Sequence, residues 1–207
     1  CNLVLYDLEY ETSKFLKRKF TNCRITSLSV NFKAINDPYI CIGEMNEQTK
    51  RGQISVLCVY NDKLQYTLIN DDPQWLKWEV VKCIILKNSA NVVSIAKKQG
   101  STSCKISIWK FTQEKFISEV TINEAITYIS YNPRNPFELI LSGKGYLRLW
   151  NFFSNEGSLK EHPQRFLRGK DEREHNFIKT QFYENKPFMF LAATEQSTFF
   201  IMSGFQV

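Results

Sequence analysis

The amino-acid sequence predicts an all-β protein built from a repeated four-stranded unit, and three observations predict it. Apolar and polar residues alternate with a period of two, as in Thr26-Ser27-Leu28-Ser29-Val30-Asn31-Phe32, Lys105-Ile106-Ser107-Ile108-Trp109-Lys110-Phe111 and Tyr146-Leu147-Arg148-Leu149-Trp150-Asn151-Phe152. β-Branched and aromatic residues dominate these runs, and no long stretch carries helical spacing. The runs also recur in order. Third-strand ends fall at Tyr6, Cys58, Trp109, Trp150 and Met202, at spacings of roughly fifty, fifty, forty and fifty residues.

Taken along the chain, the units run as follows. An opening strand over Asn2–Leu8 closes a truncated unit at 1–20. The unit at 21–72 has strands at 23–30, 38–44, 53–60 and 64–69; the unit at 73–122 has them at 78–85, 91–96, 104–109 and 116–120. The unit at 123–176 places strands at 125–131, 137–142 and 146–150, then a short one near Leu159 and a long charged connection. The last, at 177–207, has strands at 177–182, 189–193 and 198–202 and stops before its fourth. A period of about 40–50 residues per four strands is that of a propeller blade. An immunoglobulin-like sandwich also uses short alternating strands, but it does not repeat a four-strand unit. The expected fold is therefore a partial β-propeller of about four blades. Each blade covers its neighbour's apolar face, and Cys1 opens directly into a strand, so the chain is expected to be an excerpt of a larger propeller protein.

Composition agrees with a packed core. Of 207 residues 43% are hydrophobic and 14% aromatic, which excludes intrinsic disorder, and eight Gly with six Pro are too few for a linker or collagen-like chain. No segment approaches the ~20 apolar residues of a membrane-spanning helix, and no signal peptide is expected ahead of the first strand. The six cysteines are scattered at 1, 23, 41, 58, 83 and 104. Cys58 and Cys83 lie inside apolar runs, where a thiol behaves as a small hydrophobe. All six are expected to be reduced, in a cytosolic compartment. The net charge of +6 is mild and is not gathered into a dense basic block, which speaks against a nucleic-acid arm.

The run Leu139-Ile140-Leu141-Ser142-Gly143-Lys144-Gly145-Tyr146-Leu147-Arg148-Leu149-Trp150-Asn151 resembles the second strand, tight turn and third strand of a WD40 repeat, whose usual pattern is Ser-Gly-x-Asp-Gly-x-x-x-x-Trp-Asp. Gly143 and Gly145 are expected to supply the positive φ of the turn. Trp109-Lys110 and Tyr6-Asp7 take the slot of Trp150-Asn151 in neighbouring units, and Asn132-Pro133 resembles the loop between the first two strands. Lys144 and Asn151 replace both usual aspartates and no Gly-His dipeptide occurs, so the Asp–His–Ser/Thr–Trp hydrogen-bond network of typical WD40 blades cannot be assembled in its usual form. The degenerate blades, with their insertions and long connections, look like the large tandem-propeller WD-repeat proteins of cilia and flagella.

Candidate sites are few. His162 and His175 both lie in the polar segment 160–175, and neither stands at metal-ligand spacing from a cysteine, so solvated loop histidines are the simpler reading and no metal is expected. There is no Gly-x-Ser-x-Gly, and Gly143-Lys144-Gly145 lacks the Gly-Lys-Ser/Thr ending of a phosphate loop. Segment 160–175 reads either as a plain surface connection or as a docking element. In the second reading Phe166 and Leu167 anchor while Arg165, Arg168, Lys170 and Arg173 pair with carboxylates of a partner. Trp75 and Trp78 have odd separation, so on an extended chain they point to opposite sides, one into a core and the other free for contact.

The resemblance implies a non-enzymatic scaffold of the ciliary axoneme, located in the cytoplasm and cytoskeleton, that attaches or regulates motor complexes on doublet microtubules. Its expected partners are axonemal complex proteins, among them tubulin or dynein-associated subunits; no cofactor, small-molecule substrate, nucleic acid or membrane is implied. The alternative is a cytosolic WD-repeat scaffold of a vesicle coat, of translation or of a ubiquitin ligase. Function on such a fold lies in rims and loops.

Overall fold

In the computed structural model, residues 3–7, 11–16, 22–31, 37–61, 65–163, 166–167, 173–186 and 189–203 are described. They form a hairpin and four antiparallel meanders. The hairpin is β1 (Leu3–Asp7) with β2 (Thr12–Leu16). The first sheet is β3 (Cys23–Asn31), β4 (Tyr39–Asn46), β5 (Gly52–Cys58) and β6 (Gln65–Ile69); the second is β7 (Trp78–Ile85), β8 (Asn91–Lys98), β9 (Cys104–Lys110) and β10 (Lys115–Ile122). The third sheet is β11 (Ile126–Tyr131), β12 (Glu138–Gly143), β13 (Tyr146–Phe153) and β14 (Ser158–Glu161). The fourth has β15 (Phe177–Phe182), β16 (Met189–Thr194) and β17 (Phe199–Ser203). In each sheet sequential strands are spatial neighbours.

The sheets stack face to face in sequence order, and this explains the alternating pattern. In β9, Trp109 faces the first sheet, in one apolar core with Cys41, Ile54, Val56 and Leu68. Ile106 and Ile108, on the other face, share a core with Ile129, Leu139, Leu141 and Trp150 of the third sheet. The third and fourth sheets bury Ile140, Leu147 and Leu149 against Phe177, Phe182 and Phe190. The middle strands of the second and third sheets are therefore covered on both faces, and β5 is buried along its whole length.

The first strands of successive sheets also touch: β3 with β7, β7 with β11, β11 with β15. Each carries a bulge at the same place in its pairing with the second strand. The register shifts between Ile25 and Ser27, Val80 and Lys82, Ile126 and Tyr128, and Phe177 and Lys179. A bulge adds twist and bends the strand, so the repeated defect turns every innermost strand in the same way. Side chains at and beyond the bulge link one sheet to the next. Thr26 donates to the Val80 carbonyl, the Cys83 amide donates to Ser27 Oγ at 3.2 Å, and Asn31 Nδ2 donates to the Ile85 carbonyl at 2.8 Å. Farther along, the Lys82 ammonium lies 5.0 Å from the centre of the Tyr128 ring, and Ser130 Oγ meets Thr180 Oγ1 at 2.6 Å.

Counting from the bulge corrects one slot of the repeat. Trp109 pairs with Val92, Trp150 with Leu139, Met202 with Phe190 and Leu57 with Ile40. Leu57, not Cys58, is thus the equivalent of the two tryptophans, and its core lies on the face of its sheet away from the second sheet. Residue spacing cannot resolve a shift of one when the hairpins differ in length.

The two turn glycines serve different ends. Gly145 has φ +64°, the left-handed value expected. Gly143 is not in that region. A Cβ there would stand 1.9 Å from the carbonyl oxygen of Ala125, so the requirement is close backbone approach rather than positive φ.

The expected opposite placement of Trp75 and Trp78 is also corrected. Asp72 caps a short 3-10 turn at Pro73–Trp75 by accepting from the Gln74 amide at 2.8 Å. The chain is therefore not extended between the indoles, and both are buried, with ring centres 6.5 Å apart. The five described cysteines, Cys23, Cys41, Cys58, Cys83 and Cys104, are buried, and none of them is in a disulfide.

Candidate interaction face

The β4–β5, β8–β9, β12–β13 and β16–β17 turns lie at one end of the stack, together with the connections that carry the chain from one sheet to the next. Two hollows open there. The larger, about 900 Å³, lies between the second and third sheets and is lined by Thr102, Asn123, Lys144, Tyr146, Arg148 and Arg173, among others. The smaller, about 600 Å³, lies between the first and second sheets, and Lys50, Lys77, Lys97 and Lys98 line it. The β8–β9 turn joins them, with Gln99 and Ser101 on the smaller hollow and Thr102 on the larger.

In the larger hollow, Arg148 is buried along β13. Its guanidinium lies 5.2 Å from the centre of the Tyr146 ring and its Nε pairs with Glu161 Oε1 at 3.2 Å. Burial and then the Glu161 charge push the Tyr146 phenol well above its usual range. Its hydroxyl oxygen accepts from the Trp150 indole at 3.0 Å. This site is thus internally compensated, with Lys144 and Arg173 at its edge.

The smaller hollow is charged unevenly. Arg24 pairs with Glu47 at 3.3 Å and with Glu79 at 3.0 Å, and Lys50 takes the second oxygen of Glu47 at 3.1 Å. The Lys50 hydrogen bond, followed by the Arg24 contact, holds the Glu47 carboxyl below its usual pKa. Both carboxylates of the hollow are then engaged. Lys77, Lys97 and Lys98 line the same space with no carboxylate at ion-pair distance among the described residues. Met45 and Val81 add apolar surface, and Val81 is the extra residue of the β7 bulge.

Of the docking residues expected in segment 160–175, Arg165, Arg168 and Lys170 lie outside the described residues. Phe166 and Leu167 are half-buried and pack on the core of the third and fourth sheets, Phe166 edge-on to Phe190 with ring centres 4.6 Å apart. Their apolar surface is therefore largely committed within the chain. Arg173 is exposed at the larger hollow, beside Gly145. His175 is not a solvated loop histidine: it is half-buried, edge-on to Phe200 and Phe177 at 5.0 and 6.0 Å. Trp109 and Trp150 occupy the cores described above. The three lysines of the smaller hollow were not singled out by sequence reasoning; the available signal was the Lys97-Lys98 pair at the end of an otherwise apolar strand. Among the described residues, no three or more His, Cys, Asp or Glu side chains gather to hold a metal.

Comparison with known proteins supports the architecture. No protein-family profile matches the chain, and no curated protein matches it. Among solved structures it is similar to the β-propeller domain of Cps50 (Swd1) from Myceliophteria thermophila, at 13% identity and a TM-score of 0.59, over 97% of this chain and 76% of that one. It is also similar to the Dos1 propeller, at 13% identity and a TM-score of 0.55, over 97% of this chain and 50% of that one. This chain thus spans half the length of the second structure. Likeness at this identity carries the fold. The chain has the β-propeller architecture, and its sheets are blades.

Proposed function

We propose that this chain is a non-catalytic scaffold of the WD-repeat type, and that it works in the ciliary axoneme, attaching or regulating motor complexes on doublet microtubules. The observation that carries the scaffold reading is the loop face itself. Blades packed face against face present two neighbouring hollows of about 900 and 600 Å³, most of whose lining residues are polar or charged. Sites of this kind on loops held by a rigid frame are where binding is placed. The WD-repeat assignment is supported by the sequence of 139–151, and the axonemal assignment by the degenerate style of the blades and the mild basic excess, which suits an acidic tubulin lattice. Axonemal complex proteins, tubulin or dynein-associated subunits are the partners this reading names. Tagged full-length protein expressed in a ciliated cell is expected along the axoneme and retained after detergent extraction. Exclusion from cilia overturns the axonemal role and leaves a scaffold of another cytosolic complex.

A further inference from the structure

We propose that the hollow between the first and second blades binds a short acidic segment of a partner protein, an inference that rests on reading the loop face as an interaction surface. The hollow holds five cations, Arg24, Lys50, Lys77, Lys97 and Lys98, and two carboxylates, Glu47 and Glu79. The two carboxylates are consumed by Arg24 and Lys50. Three lysines, Lys77, Lys97 and Lys98, are left lining one concavity with no carboxylate at ion-pair distance among the described residues. Like charges gathered in this way repel each other, and a ligand with carboxylates at matching spacing relieves that repulsion as it binds.

The positions of the three lysines are set by the backbone. Lys77 has φ +68° and its amide donates to the Lys50 carbonyl at 2.8 Å, so the chain entering the second blade is tied to the β4–β5 turn of the first. Lys97 and Lys98 are the last residues of β8, held in register with Glu79 and Trp78 of β7. The lysine stems are therefore rooted in ordered strands and turns, and binding need only order their ends. Met45 and Val81 give the hollow an apolar surface for a leucine or methionine beside the acidic residues. The volume lies within the range of ligand pockets, roughly 300–1,000 Å³. A protein segment fits this lining better than a nucleic acid. No aromatic residue lines the hollow to stack on a base, and stacking supplies much of single-strand binding.

The test uses the full chain and a fluorescein-labelled peptide of glutamates and aspartates around two leucines. The comparison probes are the same peptide with glutamine and asparagine in place of the acids, and an oligothymidylate of equal length. Fluorescence anisotropy is expected to show binding of the acidic peptide, weakening with salt, and little binding of the amide peptide. The K97E/K98E variant is expected to lose about tenfold or more in affinity, and K77E to lose affinity as well. The K115E/K186E variant, which changes net charge equally at exposed sites on the opposite end of the blades, is expected to bind as the wild type does; circular dichroism confirms that each variant is folded. Equal peptide affinity in K97E/K98E and the wild type, or tighter binding of the oligothymidylate than of the peptide, overturns the proposal. The axonemal reading fails separately, because localisation needs no peptide and the peptide assay needs no cilium.

Discussion

The indole N–H of Trp109 donates to Ser94 Oγ at 3.0 Å across the β8–β9 pair, and both side chains are buried. In the next blade the equivalent Trp150 donates instead to the Tyr146 hydroxyl, also at 3.0 Å. These two blades thus satisfy their buried tryptophans locally, without the aspartate and histidine of the usual WD40 network. Removing the acceptor leaves a buried donor unpaired, which costs about 1–3 kcal/mol. Ser94→Ala is expected to lower unfolding free energy by that amount in urea titration, with unchanged slope. Adding Trp109→Phe to Ser94→Ala is expected to cost less than the two single changes combined, since the two residues share one hydrogen bond. Additive effects would show that the bond contributes nothing.

Lys105 offers a sharper test of buried charge. Its ammonium lies 2.6 Å from Glu119 Oε1 and 5.2 and 5.1 Å from the ring centres of Trp75 and Trp78. A buried ion pair contributes little net stability, while an orphaned member costs about 3–5 kcal/mol when fully enclosed. Glu119 retains 20% side-chain exposure, so Glu119→Leu is expected to cost the lower part of that range, about 3 kcal/mol. Lys105→Met with Glu119→Leu is expected to recover most of the loss, because the indoles then pack against a thioether. A double variant as unstable as Glu119→Leu alone would contradict this account.

These relationships mark where sequence reading reaches its limit. The strands were legible because alternation is a local property, and stacking in series followed from the recurrence of the unit. The repeated bulge was not legible, since Thr26, Val81, Thr127 and Ile178 stand out only once β3, β7, β11 and β15 are paired with their neighbours. The pairing of Trp75 with Trp78 was misjudged because a three-residue turn interrupts the extended chain on which the parity argument rests. The same holds for function. Charge in segment 160–175 is visible in composition, but the packing of Phe166 on Phe190 is tertiary. That Lys77, Lys97 and Lys98 lack acids depends on Arg24 reaching both Glu47 and Glu79, residues 23 and 55 positions away in the chain.

Alkaline pH should loosen the seam between the first two blades. Tyr39 is 5% exposed, with ring centres 5.1 Å from Phe111 and 6.5 Å from Tyr66. Burial first, then the neighbouring Tyr66, pushes its phenol from 10.0 up to about 12. Below pH 10 the phenol is neutral in folded and unfolded chains alike, and its contribution to stability is fully present. Between pH 10 and about 12 the unfolded chain releases the proton while the folded one retains it, so stability falls as pH rises through that window. At about 1.4 kcal/mol per pH unit across that window, the loss from this one group is at most about 3 kcal/mol. Urea titrations at steps across the window are expected to show a falling midpoint in the wild type and a shallower fall in Tyr39→Phe. Some slope remains in the variant, because burial also raises the Tyr128, Tyr131 and Tyr146 phenols. An identical pH profile in wild type and Tyr39→Phe would place the alkaline transition elsewhere than this seam.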